Sequence, residues 1–568
     1  MAKYKEIFIY IFPIVLMNVL VYSFVINEKY IYFWDYSGYW ASWINISEIF
    51  TKNPSKAMAI LWDSIRYSDY NMLPVMMLIP WNILFGDSRV SYILAIANLF
   101  AIPSAILILY FIKKNVIHEN NKSLILHLFI FMIILLLPQL WIPLLRGEVG
   151  VVGIAIIACI LIIYFKKPVE DQDFSSIFII GALLCLLILM RRWYAYWTVS
   201  FFISVFVDVL IMEFLKKNYS IKSHFKSLWN VIKIGILSSL LFFFISTPYA
   251  MKMLVTDYSD IYSAYKSNDT VWLAFRSFYY SFGPVWVFLS VAGIICSIFI
   301  PKLRRISLFL CLQFLTIFTL FSRVQNFGPQ HYYLLVSMVL IFVTILLYYI
   351  YKFNIVFLVK GILLFSIFIV ILLNFSVVFI PYSVNSNMLI KNISSVEKCY
   401  PMIRNDINVI YDIYNTLYSI SKLDNDRIYV LSSSFIFNDD ILKNITLFDR
   451  SIPNINDKIF SSNHVDKRDG FPNQFITAKY VLVCSPIQYH LRTSDQRVIG
   501  ILADQLLNMK LIGRSYRKMD YDFILDSNVH VFVYEKVSPI KQEDLNEIAK
   551  IFHSYYPDRI DFFTPKTP

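Results

Sequence analysis

Long apolar runs recur through the first two thirds of the chain, and they restrict its fold more than any other feature of the sequence. Most are close to 20 residues, the length a helix needs to cross the hydrocarbon core of a bilayer. They stand at 6–26, 89–112, 124–144, 149–165, 175–190, 193–214, 230–250, 283–300, 305–322, 332–351 and 355–380. Only 16% of the 568 residues are charged, against about 25% in a soluble domain. The chain reads as a polytopic α-helical membrane protein with about 11 spans. The first run follows a basic start, is long, and has no small-residue cleavage site after it, so it reads as a first span rather than a removed signal. No internal repeat is evident.

One apolar segment is left out of that count. "NMLPVMMLIPWNILFGDSR" (71–89) has about 15 apolar residues, short of spanning length, and Pro74 and Pro80 interrupt it. Counted as a span, it would put "KKN" (113–115) and Lys216, Lys217, Lys222, Lys226 and Lys233 outside. Read as re-entrant or interfacial, it puts them inside with Lys166–Lys167, "PKLRR" (301–305) and Lys352. The second reading satisfies the positive-inside rule. The N-terminus is then cytoplasmic and the C-terminal part extracytoplasmic. The net charge of +12 follows from these loops and does not point to nucleic acid.

From about residue 382 the composition becomes that of a soluble domain. "DRIYVLSSS" (426–434), "AKYVLVCSP" (478–486) and "HVFVYEKV" (530–537) read as strands, and "DQRVIGILADQLLN" (495–508) as a helix. The expected division is a membrane domain over 1–381, with a large first outer loop at 27–88, and an extracytoplasmic α/β domain over 382–568. No glycine-rich phosphate loop is present. Six scattered cysteines show no metal spacing, and a Cys399–Cys484 bridge is open but not expected.

The expected outer face carries the candidate chemistry. "YFWDYSGYW" (32–40) sets Asp35 among rings including Trp34 and Tyr36. Interfacial aromatics account for the rings, not for an acid that looks buried between them, and such an environment can tune a general base. "LLRGEVG" (144–150) adds Arg146 and Glu148; "MRRWYAYW" (190–197) adds Arg191 and Arg192; "FSRVQNFGPQHYYLL" (321–335) adds Arg323 and His331. Asp69 is expected to cap the re-entrant helix. Arginines on the outer face are unexpected for orientation and costly against lipid, whereas a phosphate ligand accounts for them. A pairing of Arg146 with Glu148 is the plainer alternative. A carboxylate base, a second carboxylate and several arginines fit displacement at an anomeric carbon with a lipid phosphate leaving. The polar loops "HVDKRDGFP" (464–472) and "QYHLRTSDQ" (488–496) read as solvated.

The order of these features resembles the GT-C superfamily of integral-membrane glycosyltransferases, in particular the dolichyl-phosphate-mannose-protein mannosyltransferase and aminoarabinose transferase branch. Asp35, the stretch "SDYNMLPVMMLIPWNILFGDSRVSYIL" (68–94) and "LLRGEVGVVGIAIIACILIIYF" (144–165) carry the likeness over residues 6–380. The resemblance implies a polyprenyl-phosphate sugar donor and a glycan, lipid or protein acceptor. It makes Asp35 and Glu148 the catalytic acids, and Arg191 and Arg192 contacts to the lipid phosphate, beside Arg146, Arg323 and His331. Trp34, Tyr36 and Asp69 would face sugar or acceptor. Two departures stand out: Tyr36 follows Asp35 where relatives often have a second acid, and Glu148 stands where Asp is usual. Some relatives need a divalent metal and others do not, so a divalent metal held by Asp35, Glu148 and His331 stays open. Competing readings are a transporter or flippase of lipid-linked sugars, a polysaccharide polymerase or ligase, and an assembly protein without catalysis. Missing internal symmetry and a lack of charge near span centres weigh against transport.

Overall fold

The computed structural model describes residues 2–117, 124–215, 221–266, 271–354, 356–381, 396–423 and 426–566. The residues expected to join the two domains, around 382, lie outside the described ones, as do Lys216 and Lys217. The chain divides into two compact units. One comprises Met1–Asn27, Gly38–Thr256 and Asn268–Pro401; the other comprises Glu28–Ser37, Asp257–Ser267 and Met402–Pro568.

The first unit is helical. Among the described residues, seven helices are long and apolar enough to cross a membrane, from Arg89–Asn115 to Phe357–Phe379. A bent pair, Leu124–Leu135 with Pro138–Leu145, and three shorter apolar helices, Tyr10–Ile26, Val149–Tyr164 and Phe174–Met190, cover the remaining expected segments. The segment left out of the span count forms two short helices, Leu73–Met76 and Ile79–Phe85. Most of the expected loop at 27–88 is helical too, with Asp35–Lys52 and Pro54–Tyr67 preceding that pair.

Two long helices are broken by proline. Val271–Phe299 kinks at Gly283, whose φ of 78° needs glycine, next to Pro284. Ile221–Val255 kinks at Ser246, two residues before Pro248. Backbone groups freed in an apolar medium must find partners. Gln139 donates to the Ser281 carbonyl beside the first kink, and the Ser246 hydroxyl donates to the Ile65 carbonyl at 2.8 Å.

The second unit is built on a four-stranded sheet ordered β1 (Ile428–Leu431), β2 (Tyr480–Ser485), β4 (Val529–Lys536) and β3 (Tyr516–Leu525). β1 and β2 are parallel; β4 runs antiparallel to both β2 and β3. Helices cover both faces, so the β1 and β2 runs are apolar throughout rather than alternating. Val430 and Leu482 pack on Ile410, Tyr414 and Leu442. Leu431, Val481 and Val483 pack on Leu502, Leu506, Ile548 and Phe552. Ile31 and Phe33 join the first of these cores. All six cysteines are free thiols.

Candidate functional site

In the helical unit, breaks between helices meet. Arg191 ends the Phe174–Met190 helix in extended conformation, and Glu148 stands in the bend before Val149–Val151. The two form a buried ion pair at 3.3 Å, with side chains 5% and 4% exposed. Arg191 also donates to the Tyr39 hydroxyl at 2.5 Å, and its guanidinium lies over the Tyr39 and Tyr70 rings at 4.9 and 5.4 Å. Next to it, Arg192 and Lys252 share the Asp69 carboxylate, at 3.3 and 2.7 Å. Asn71 donates to the Leu189 carbonyl at 2.7 Å and ties the two breaks together. Trp193 packs edge-on against His331 at 5.6 Å. His331 Nδ1 accepts from the Gly328 N–H at 2.9 Å.

A second polar cluster marks the other end of the Val152–Tyr164 helix. There Arg305 and the Tyr164 hydroxyl both bind Asp208, at 2.8 and 2.5 Å. At 1.5 Å per residue, the 16 steps from Glu148 to Tyr164 separate the clusters by about 24 Å. The Glu148–Arg191 cluster therefore belongs to one end of the bundle and "PKLRR" to the opposite end.

Several expectations for this unit change. Glu148 pairs with Arg191, the bend turning its carboxylate toward the end of the neighbouring helix. Arg146 donates to the Tyr400 carbonyl at 2.9 Å. Its charge also opposes the burial that raises the Glu397 carboxyl above the usual range. Asp69 does not cap the Leu73–Met76 helix: Met72 precedes that helix without a side-chain bond, and Asp69 is drawn to two cations. Arg323 is exposed in the last turn of Pro301–Val324.

Trp34, Asp35 and Tyr36 belong to the other unit, where residues 28–37 are laced to the C-terminal domain. Lys29 N–H donates to the Met402 carbonyl and Arg404 N–H to that of Lys29, at 2.9 and 2.8 Å. Asn444 donates to the Tyr32 carbonyl and the Ser37 hydroxyl, both at 2.9 Å. Trp34 takes a positive φ of 50°, a conformation that needs outside support, and its N–H donates to Asp440 at 3.1 Å. Asp35 is exposed, contrary to the sequence expectation of a buried acid. It is the first residue of the Asp35–Lys52 helix, so its side chain turns outward while Tyr32 and Phe33 supply the buried rings.

Around Trp34 the two loops expected to be solvated come together. Ser433 follows β1, and its hydroxyl lies 2.8 Å from Nδ1 of both His464 and His490. One hydroxyl proton serves only one of these rings at a time. His464 Nε2 faces Asp439 at 3.3 Å, and Lys443 binds the same carboxylate at 2.8 Å. Burial raises the Asp439 carboxyl, but His464 and Lys443 outweigh it and hold it below the usual range; burial and Asp439 push neighbouring Asp440 up. Burial, with the charges of His464 and Arg468, brings His490 down to about 4. The Trp34 ring lies 4.5 Å from that of His490 and 5.5 Å from that of His464. The sequence signal for this meeting was the placement of His490 just beyond the end of β2, where α/β sheets gather polar groups.

Among the described residues no group of three or more His, Cys, Asp or Glu side chains could hold a metal ion. Glu148 already faces Arg191, and His331 already accepts a backbone proton. The donor set does not fit a metal, and no step below uses one.

No family model and no curated protein matches the sequence. Among solved structures, the chain is similar to ArnT from Cupriavidus metallidurans bound to undecaprenyl phosphate, at 10% identity over 94% of this chain and 98% of that one, with a TM-score of 0.48. It is also similar to the archaeal oligosaccharyltransferase AglB from Archaeoglobus fulgidus in complex with an inhibitory peptide and a dolichol-phosphate. That likeness has 12% identity over 96% of this chain and 75% of that one, with a TM-score of 0.49.

Proposed function

We propose that this chain is a glycosyltransferase that moves a sugar from a polyprenyl-phosphate donor to an acceptor on the outer face of the cytoplasmic membrane. The observation that carries the reading is the charge gathered where the helix breaks meet. Arg191, Arg192 and Lys252 stand with the carboxylates Glu148 and Asp69, a positive excess at one end of an apolar bundle. Ionisable groups in such surroundings are costly and mark sites of function, and an anionic lipid head is the ligand they suit.

In the proposed reaction the Asp35 carboxylate takes the proton of an acceptor hydroxyl. The acceptor oxygen forms a bond to the anomeric carbon, and the bond from that carbon to the phosphate oxygen breaks. The electron pair leaves with the polyprenyl phosphate, whose developing charge requires cationic stabilisation. Glu148 holds Arg191 in place and does not act on substrate directly. The lysine-rich loops at the opposite end support an outward-facing site through the positive-inside rule.

Asp35→Asn keeps the helix start but removes the base. In membranes supplied with a panel of polyprenyl-phosphate hexoses and pentoses, this variant should accumulate to the normal level and lose transfer by about 100-fold or more. Full transfer by the variant would end the assignment.

A further inference from the structure

The segment "DYSDIYSAY" (257–265) plays no part in the reaction above, yet its tyrosines are spaced for a purpose. Tyr258, Tyr262 and Tyr265 stand at i, i+4 and i+7, one face of the helix Tyr258–Ile261 and the 3-10 turn Tyr262–Tyr265. Their rings follow one another at 6.1 and 6.0 Å, the first two stacked at 21°. The row continues from Tyr265 to His490 at 6.4 Å, to Trp34 at 4.5 Å and to Phe435 at 5.6 Å. It is open to solvent in part: Tyr265 is 37% and Phe435 58% exposed, and the other four rings are half-buried. Exposed rings joined in this way mark a place where a ligand can lie.

The rim of the row is polar, and its cations are paired with carboxylates. Asp260 binds both Lys467, at 3.0 Å, and Arg559, while Arg468 binds Asp469 at 2.7 Å and Arg492 binds Asp495 at 2.9 Å. A polyanion is drawn by cations in excess, and each of these cations already faces a carboxylate. A peptide docks by adding a strand or by filling a groove with side chains, and it serves as the contrasting ligand in the test below. A sugar chain has apolar C–H faces that lie on rings and hydroxyl edges that bond to a charged rim. Asp35 follows Trp34 in sequence, at the middle of the row, and its carboxylate acts with burial to raise the Tyr265 phenol.

We propose that this aromatic row seats the acceptor, and that the acceptor is a neutral saccharide chain laid along Tyr258, Tyr262, Tyr265, His490, Trp34 and Phe435. The inference rests on the glycosyl-transfer reading and names the acceptor class within it.

The test uses the full-length protein in lipid nanodiscs, titrated with hexasaccharides of glucose, mannose and N-acetylglucosamine. A Ser/Thr-rich peptide and a sulfated polysaccharide serve as the contrasting probes, and saturation-transfer NMR is the readout. At least one neutral hexasaccharide should bind. Tyr265→Ala and Phe435→Ala should each weaken that binding about tenfold, with thermal unfolding unchanged because both side chains are exposed. Binding of the peptide or polyanion alone, no binding of any hexasaccharide, or equal affinity in both variants overturns the proposal. Asp35→Asn separates the two claims: transfer is lost while hexasaccharide affinity is retained. Transfer surviving in that variant would sink the reaction and leave the binding result standing on its own.

Discussion

Arg191 is the residue on which the helical unit's polar cluster turns. It is almost fully buried, and it is held by Glu148, the Tyr39 hydroxyl and two aromatic faces. Removing one partner of such a pair strands the other as an uncompensated charge, at about 3–5 kcal/mol. Glu148→Gln should therefore lower the thermal unfolding temperature of the detergent-purified protein sharply. The double variant Glu148→Leu/Arg191→Met should recover most of that loss, since apolar replacement of a buried pair is often neutral. It should not recover transfer if Arg191 helps to shape the phosphate site. Arg192→Gln, which leaves Lys252 on Asp69, should raise the KM for the lipid donor about tenfold with a smaller effect on kcat, measured in membranes with varied donor. These roles were only half legible in the sequence. Arg191, Arg192, Glu148 and Asp69 stand out as charges in apolar surroundings, but their partners come from breaks up to 183 residues apart in sequence. The sequence offered Arg146 for Glu148 because the two are neighbours in the chain. Tyr39 reads as an interfacial ring because nothing in the sequence tells a belt ring from one stacked on a guanidinium.

At the scale of elements, the apolar runs located the helices well and their breaks less well. A run shows where a helix belongs, while proline and a small neighbour show only that it bends somewhere. Gly293 is a case where the bundle sets a demand that the run does not show. A Cβ there would overlap the Phe342 carbonyl of the Pro329–Lys352 helix, so the backbones meet with no room for a side chain. Gly293→Val should reduce folded protein in the membrane, measured by fluorescence-detection size exclusion. Gly361, with open space around it, should accept Ala without loss. In the sheet, β1, β2 and β4 were readable as apolar runs, while β3 was not. β3 is an edge strand whose sequence, YRKMDYDFIL, alternates and is mostly exposed, with a bulge between Lys518 and Asp522. Its pairing with β4 supplies the order that its composition lacks.

For the molecule as a whole, two groups in the sheet unit set opposing pH dependences. Burial raises the Asp466 carboxyl to about 7, although the Tyr556 hydroxyl donates to it at 2.5 Å. Between about pH 4 and 7 the folded state holds a proton there that the unfolded state has lost, so stability falls as pH rises. His490, brought down to about 4, is neutral when folded and charged when unfolded between about pH 4 and 6.5, so stability rises with pH over that window. The two slopes oppose each other, and the wild-type unfolding temperature should change little between pH 4.5 and 6.5. Asp466→Asn should expose the rising slope and His490→Gln the falling one, each by a few degrees across that range. The same slope in both variants would refute the assignment.

By itself the sequence determined the membrane class, the positions of the spans and the presence of a terminal α/β domain. Hydrophobic run length and strand periodicity are local properties, set by the medium that each segment must satisfy. Where Asp35 would be held was decided only in three dimensions. Residues 28–37, read from the sequence as part of a membrane loop, take their hydrogen bonds and buried rings from residues some 400 positions later in the chain, as in the Trp34–Asp440 bond at a separation of 406. A hydrogen-bond donor is satisfied by whatever acceptor the fold brings within reach, and sequence distance carries no information about that.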